Sequence, residues 1–361
     1  GYAPRRRAVA LMRRTALYAP EQSRRLIEGL FGSLNAESLR RLVPRERAAL
    51  SAVPEWCLQV HASNSPQPAV EAVALSLLVG CGVVVKPSVS DPGLLAAYVA
   101  SLRREEPVLG RCIAIGTASH AGFERMLQRA PLVIAYGADR TLEALRRRIG
   151  AGTRWAGHGH RISLGVVTAG ALRDPSRIAR GTALDVWMDR QQGCLSPRVI
   201  YVQGGGDAAE SFVERVAEEL ERLTRNDPLT PPAERSAVTR LRNLYRLRAS
   251  LGERVVWRER IGRCRYAVMY DERIAREPDG FVPLCVSIKA FKDPRQLVRK
   301  LARLRGCIQG VALGATSAET MVWKRELQKL RPALITTPGR LQFPPLDWHH
   351  DNKPRLSDWL T

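Results

Sequence analysis

The chain is short of lysine, of aromatic side chains and of long apolar runs, and each shortage excludes something. No stretch of about eighteen or more apolar residues occurs, so no membrane-spanning helix is expected. The opening Gly1-Tyr2-Ala3-Pro4-Arg5-Arg6-Arg7 leads into an Arg-rich amphipathic stretch with no apolar core, which does not fit a secretory signal. Seven cysteines, at 57, 81, 112, 194, 264, 285 and 307, form no Cys-x-x-Cys pair. Neither a disulfide framework nor a zinc cluster is therefore expected, and a reducing, cytoplasmic setting is. Aromatic residues make up 6% of the chain, with no zinc-finger, RNP-type or helix-turn-helix signature. A net charge of +22 thus does not by itself indicate a nucleic-acid binder. Lysine occurs only seven times, so fifty of the 57 basic residues are arginine, spread over the whole length. Solvated helix faces account for most of them, and part of the charge suits an anionic, phosphate-bearing ligand. Gly-x-Gly-x-x-Gly is also absent, and Gly204-Gly205-Gly206 has no P-loop lysine behind it.

What is present is alternation. Residues 5–51 read as helices, with leucines at 11, 17, 26, 30 and 34 among Arg and Glu. A short strand at Leu58–His61 and an apolar helix at Pro68–Val79 follow. The β-branched Gly82-Val83-Val84-Val85-Lys86-Pro87 reads as a buried strand stopped by proline. Helix, strand, helix and strand then alternate to Ala135, and a further helix begins after Gly137. A second such stretch starts at Ile162 and contains a strand at Leu284–Ile288 and a helix at Asp293–Leu304. The pattern predicts an α/β protein with two doubly wound domains. Residues 1–161 would hold N-terminal helices and a cofactor-binding domain, and 162–335 a catalytic domain. Residues 336–361 would form an extended C-terminal tail packed on other elements. Ligands of such sheets bind beyond the carboxyl ends of the strands. Lys86-Pro87-Ser88 and Tyr136-Gly137-Ala138 are the candidate spots.

Cys194 stands out because of its segment, Gln191-Gln192-Gly193-Cys194-Leu195-Ser196-Pro197. A polar, Gly-bearing turn there enters the apolar run Val199–Val202, which offers a reachable thiol beside a backbone N–H. The thiolate is the nucleophile in cysteine chemistry, so this setting favours attack on a carbonyl. A buried structural cysteine is the alternative, and the heptapeptide alone leaves both open.

Six segments together resemble one family. They are Asn64-Ser65-Pro66, Val83–Ser88, Tyr136–Asp139, His158–Ser163, Asp189–Pro197 and Trp348-His349-His350-Asp351. Their order and spacing resemble the aldehyde dehydrogenase superfamily, and within it the long-chain acyl-CoA reductases that supply aldehyde to bacterial luciferase. The resemblance implies an aldehyde-dehydrogenase-like fold and reduction of an acyl thioester, on CoA or a carrier protein, to an aldehyde. It makes Cys194 the nucleophile that carries the acyl group and Asn64 an oxyanion donor. Lys86 would hold the adenosine ribose, with Ser88 beside it. Gly137, Ala138 and Thr141 would open the helix that faces the pyrophosphate. Ser88-Val89-Ser90 carries no carboxylate to repel a 2′-phosphate, so NADPH is expected over NADH.

Gly157-His158-Gly159-His160-Arg161 stands where hydrolytic relatives carry a glutamate base, and it has no carboxylate. His158 and His160 become candidate general acids, with a packing role as the alternative. Adjacent histidines at 349 and 350 seldom point at one ion and no third ligand is evident, so no metal is expected. Other readings are aldehyde oxidation or acyl transfer by the same fold, or a basic nucleic-acid-binding or scaffold protein without catalysis. A homo-oligomer or an acyl-supplying partner enzyme is compatible with all of them.

Overall fold

Leu132-Val133-Ile134-Ala135-Tyr136 and Trp56-Cys57-Leu58-Gln59-Val60 are almost wholly buried runs, as strands covered on both faces must be. A computed structural model describes residues 6, 8–10, 12, 18–46, 53–62, 65–88, 93–116, 119–262, 264–272 and 281–360. Its contacts divide the chain into two compact units, Gly1–His160 with Pro345–Thr361, and Arg161–Pro344.

The first unit holds β1 (Trp56–Val60), β2 (Gly82–Lys86), β3 (Ile113–Ile115), β4 (Leu132–Tyr136) and β5 (Arg154–His158). All are parallel, in the order β3-β2-β1-β4-β5. Helices α1 (Pro20–Ser33) and α2 (Ala36–Glu46) precede the sheet. The crossovers are α3 (Gln67–Leu78), α4 (Leu94–Glu105) with the short α5 (Pro107–Arg111), α6 (His120–Arg129) and α7 (Asp139–Arg146).

Period-two alternation along β1 sorts the helices between the faces. Leu58 and Val60 pack with Phe123 and Leu127 of α6 and Leu142 and Leu145 of α7. Gln59 turns the other way and donates to the Ala72 carbonyl (3.1 Å) and the Ser76 hydroxyl (2.8 Å) of α3. Strand order reverses between β1 and β4, the switch point at which the carboxyl ends open a crevice. Strand β5 had no sequence signal: at the sheet's edge, Arg154-Trp155-Ala156-Gly157-His158 offers neither an apolar run nor a clean alternation.

The second unit holds β6 (Ile162–Val167), β7 (Pro197–Gln203), β8 (Val255–Glu259), β9 (Ala267–Asp271), β10 (Cys285–Phe291), β11 (Ile308–Gly314) and β12 (Leu334–Thr336). They run in the order β12-β11-β6-β7-β10-β9-β8, and only β8 is antiparallel to its neighbour. Its helices are α8 (Pro175–Trp187), α9 (Gly206–Leu223), α10 (Pro232–Ser250), α11 (Pro294–Leu301) and α12 (Ser317–Gln328). One core joins Leu164, Val199, Ile308 and Val311 of the sheet to Leu297 of α11 and Trp323 and Leu327 of α12. Not every arginine of α10 is solvated: Arg248 is buried, and its guanidinium pairs with Glu253 (2.7 Å) and Asp271 (3.6 Å). Among the described residues no helix is long and apolar enough to cross a membrane.

The C-terminal segment is divided between the units. Residues 336–344 fall with the second, whereas 345–361 fall with the first. Trp359 is 1% exposed and donates its indole N–H to Ser76 Oγ (2.8 Å), while Arg355 pairs with Glu71 of the same helix, α3. Replacing Trp359 with alanine removes a large buried ring and leaves a cavity. It should lower the unfolding free energy by about 3–5 kcal/mol, measured by chemical denaturation.

Candidate active site

In the second unit, α8 ends at Trp187 and the next residues take an uncommon path. Asp189, Arg190 and Gln191 all have left-handed backbone, at φ 48°, 50° and 61°, and none is glycine. Each such residue costs on the order of 1–2 kcal/mol, so surrounding contacts must hold the turn. The buried guanidinium of Arg190 pairs with Glu234. Gln191, 1% exposed, donates its side-chain amide to the Pro197 carbonyl (2.9 Å), tying both ends of the loop. Within it, Gln192 N–H donates to Asp189 O (2.9 Å) and Ser196 N–H to Gly193 O (3.0 Å). A Cβ on Gly193 would lie 3.0 Å from Asp189 Oδ2 and 3.3 Å from both Gln342 Oε1 and Ser196 Oγ.

Cys194 is thereby set at the entrance of β7. Ser163 on the neighbouring β6 donates its hydroxyl to the Cys194 carbonyl (2.7 Å). Gln309 of β11 brings its Nε2 to 4.0 Å from Cys194 Sγ. Asp185 of α8, fully buried, accepts the backbone N–H of Gly339 (2.7 Å) and of Leu341 (3.1 Å). The same segment's Gln342 then donates to Ser196 Oγ (3.0 Å). The thiol itself is half-buried, whereas Cys57, Cys81, Cys264 and Cys285 are buried and Cys112 and Cys307 are exposed. Burial pushes the Cys264 thiol up to about 12 and that of Cys285 higher still, which makes both inert.

In the first unit, Lys86, Ser88, Gly137, Ala138 and Thr141 all fall at or just beyond the carboxyl ends of β2 and β4. Lys86 Nζ is 5.2 Å from the centre of the Phe123 ring. Ala138 precedes α7 in extended backbone and supplies no side-chain cap. The Asp139 carboxylate, whose charge is unfavourable beside a phosphate, accepts the His160 backbone N–H (2.8 Å). These residues fit an anionic dinucleotide: a strand-end ammonium, a helix start that no side chain closes, and an acidic group already occupied. Asn64 lies outside the described residues.

His158 is buried, and both its nitrogens are taken. Nδ1 is 2.7 Å from Asp351 Oδ2 and Nε2 is 2.7 Å from Asp358 Oδ2, so neither is free for a leaving group. His160 is exposed. Burial alone would strip the proton from His158, but the two carboxylates outweigh it and raise the pKa from 6.5 to about 9. The ring stacks against Tyr136 (4.5 Å) and His350 (4.9 Å), which also lie near each other (6.2 Å). Burial, with His158 nearby, drives His61 and His350 down to about 3, so His158 is the one cation of the stack. His158, His350 and Asp351 offer ligand atoms within 4.8 Å of one another, which supplies the third group that the sequence did not reveal. With a carboxylate on each ring nitrogen of His158, the arrangement forms an ion triad that pins the C-terminal segment.

Sequence reasoning also missed Gln309 and the left-handed turn. A single buried amide in the otherwise apolar Ile308–Gly314 strand was the available signal for the first.

Two units on largely parallel sheets, a cysteine on the loop entering a central strand of one and open strand ends in the other, define a class: the aldehyde dehydrogenase fold, and an oxidoreductase. NAD-dependent benzaldehyde dehydrogenase from Corynebacterium glutamicum superposes with a TM-score of 0.71 at 16% identity, over 99% of this chain and 80% of its own. Aldehyde dehydrogenase 21 from Physcomitrella patens, solved with succinate, gives 0.74 at 13% identity, over 99% and 81%. Betaine aldehyde dehydrogenase from Staphylococcus aureus, in complex with NAD+, gives 0.64 at 15%, over 85% and 65%. No curated protein matches by sequence. The particular family follows from the whole chain: residues 3–361 match acyl-CoA reductase (LuxC), and the protein belongs to that family.

The proton on His158 links stability to pH. A folded-state pKa of about 9 against 6.5 means that its contribution is complete below pH 6.5 and is lost as pH rises through 9. Unfolding free energy should therefore fall by on the order of 3 kcal/mol across that window. His158→Gln should be less stable at pH 6.5 and lack the decline; a flat wild-type profile in denaturant titrations would contradict the triad.

Proposed function

We propose that the protein reduces an acyl thioester, carried on CoA or a carrier protein, to an aldehyde with NADPH, through a covalent thioester on Cys194. The observation that carries this is the half-buried Cys194 thiol on a turn whose backbone is held from both sides. The Cys194 thiolate attacks the acyl carbonyl, and the tetrahedral oxyanion collapses by breaking the bond to the carrier sulfur. The carrier leaves as its thiol after taking one proton, and the acyl group stays on Sγ. Bound NADPH supplies a hydride. Reduction of the thioester carbon gives a thiohemiacetal oxyanion, whose collapse breaks the carbon–Sγ bond, releases the aldehyde and restores the thiolate. Two oxyanions form on this path, and Asn64 with the Cys194 backbone N–H are the donors proposed for them.

Water is the competitor for the acyl-enzyme. Gly157–Arg161 contributes no carboxylate to activate it. The two carboxylates that do reach His158, Asp351 and Asp358, are held by its imidazolium. That supports transfer to hydride over hydrolysis. His158 then acts as the anchor of the C-terminal segment, and His160 is the histidine left to serve a departing group. Lys86 and the start of α7 hold the dinucleotide, and Ser88 leaves room for a 2′-phosphate.

Ser88→Glu puts a negative charge where the ribose phosphate is proposed to lie. It should raise the KM for NADPH by about tenfold or more, the equivalent of about 1.4 kcal/mol, while sparing NADH. Steady-state kinetics with both cofactors and an acyl-CoA substrate measures this. Equal effects on both would remove the basis for the NADPH preference. In the same assay Cys194→Ala should form no aldehyde, and aldehyde formation by that variant would end the reductase reading.

A further inference from the structure

Gln309 is fully buried, yet it lies in a strand whose other residues are apolar or glycine. Strand β11 pairs Ile308 with Ile162 and Gly310 with Ser163, so Gln309 is the extra residue of a bulge. Bulges re-aim a side chain, and this one turns an amide toward the nucleophile loop. The approach is close. A Cβ on Gly310 would come within 2.9 Å of Leu195 Cδ2 and 3.1 Å of Ser163 Oγ, so glycine is what lets the strand come this near. Gln309 Nε2 stands 4.0 Å from Cys194 Sγ, at the outer limit of an N–H···S contact. Its Oε1 has no hydrogen-bond partner, although the side chain is sealed from solvent. A buried amide with an open acceptor costs stability that an apolar residue would not, and the strand's own packing gives no return for it.

We infer that Gln309 is a catalytic residue of the thioester chemistry: its amide N–H donates to the Cys194 sulfur and favours the thiolate that attacks. The inference rests on Cys194 being the nucleophile proposed above. The exposed thiols Cys112 and Cys307 have no such arrangement to share and serve as internal references.

The experiment is the rate of iodoacetamide alkylation at Cys194, resolved from the other cysteines by peptide mass spectrometry, as a function of pH. Gln309→Leu removes the donor at similar volume. Gln309→Met, unbranched and of the same length, repeats the test with different packing. Both should move the midpoint of the Cys194 profile up by about one pH unit and slow alkylation near neutral pH about tenfold, with Cys112 and Cys307 unchanged. Profiles for both variants that overlay the wild type overturn the proposal. The readout involves no acyl substrate, so it separates the two claims. A wild-type Cys194 that alkylates readily but accepts no acyl group from any thioester contradicts the reductase reading and leaves the role of Gln309 to the alkylation profile.

Discussion

A left-handed turn of three non-glycine residues is the constraint on which the position of Cys194, the proposed nucleophile, depends. Asp189, Arg190 and Gln191 each pay a backbone penalty, and the return is the direction in which Gly193-Cys194 leaves α8 and enters β7. Arg190 with Glu234, and Gln191 with the Pro197 carbonyl, hold the turn against relaxation. Ser163 fixes the Cys194 carbonyl from β6. Fixed backbone around a partly exposed thiol suits the covalent acyl carrier proposed above, because the sulfur would accept, hold and release a group without the loop reorganising.

A second constraint operates in the other unit and concerns charge rather than backbone. One buried imidazolium, His158, faces two aspartates that arrive from the end of the chain, while the neighbouring His61 and His350 stay neutral. Burying an ion is costly, and it is tolerated here because both nitrogens have carboxylate partners, with the Tyr136 and His350 rings packed against it. The triad, Trp359 on Ser76 and Arg355 on Glu71 fasten the same short segment to one sheet and its helix α3. The position that carries a water-activating base in hydrolytic aldehyde dehydrogenases is thus proposed to serve here as a structural anchor.

How much of this was legible follows from how local each signal is. The strands at 82–86 and 132–136 announce themselves by β-branched or continuous apolar runs, and Lys86 and Gly137 come with them as strand ends. The seven residues around Cys194 single it out in the sequence but leave a reachable nucleophile and a buried structural cysteine both open, and only the family resemblance separates them. Strands β5, β8 and β9 were not: β5 and β8 lie at sheet edges with mixed composition, and β9 pairs next to one of them. The triad was hidden because its members are 193 and 200 residues apart in the chain. Gln309 was hidden because a bulge, invisible in a single strand's pattern, decides where its amide points. Three left-handed residues in a row were hidden for a different reason, since no glycine or asparagine is among them and Asp189 alone is only a weak mark of that backbone.

The most direct measurement is the intact mass of the protein after brief exposure to acyl-CoA thioesters of graded chain length. The account expects a mass increase of one acyl group with at least one chain length, absent in Cys194→Ala, stable in buffer and cleared on adding NADPH with one equivalent of aldehyde released. No adduct with any thioester, or an adduct that maps to another cysteine, would contradict it.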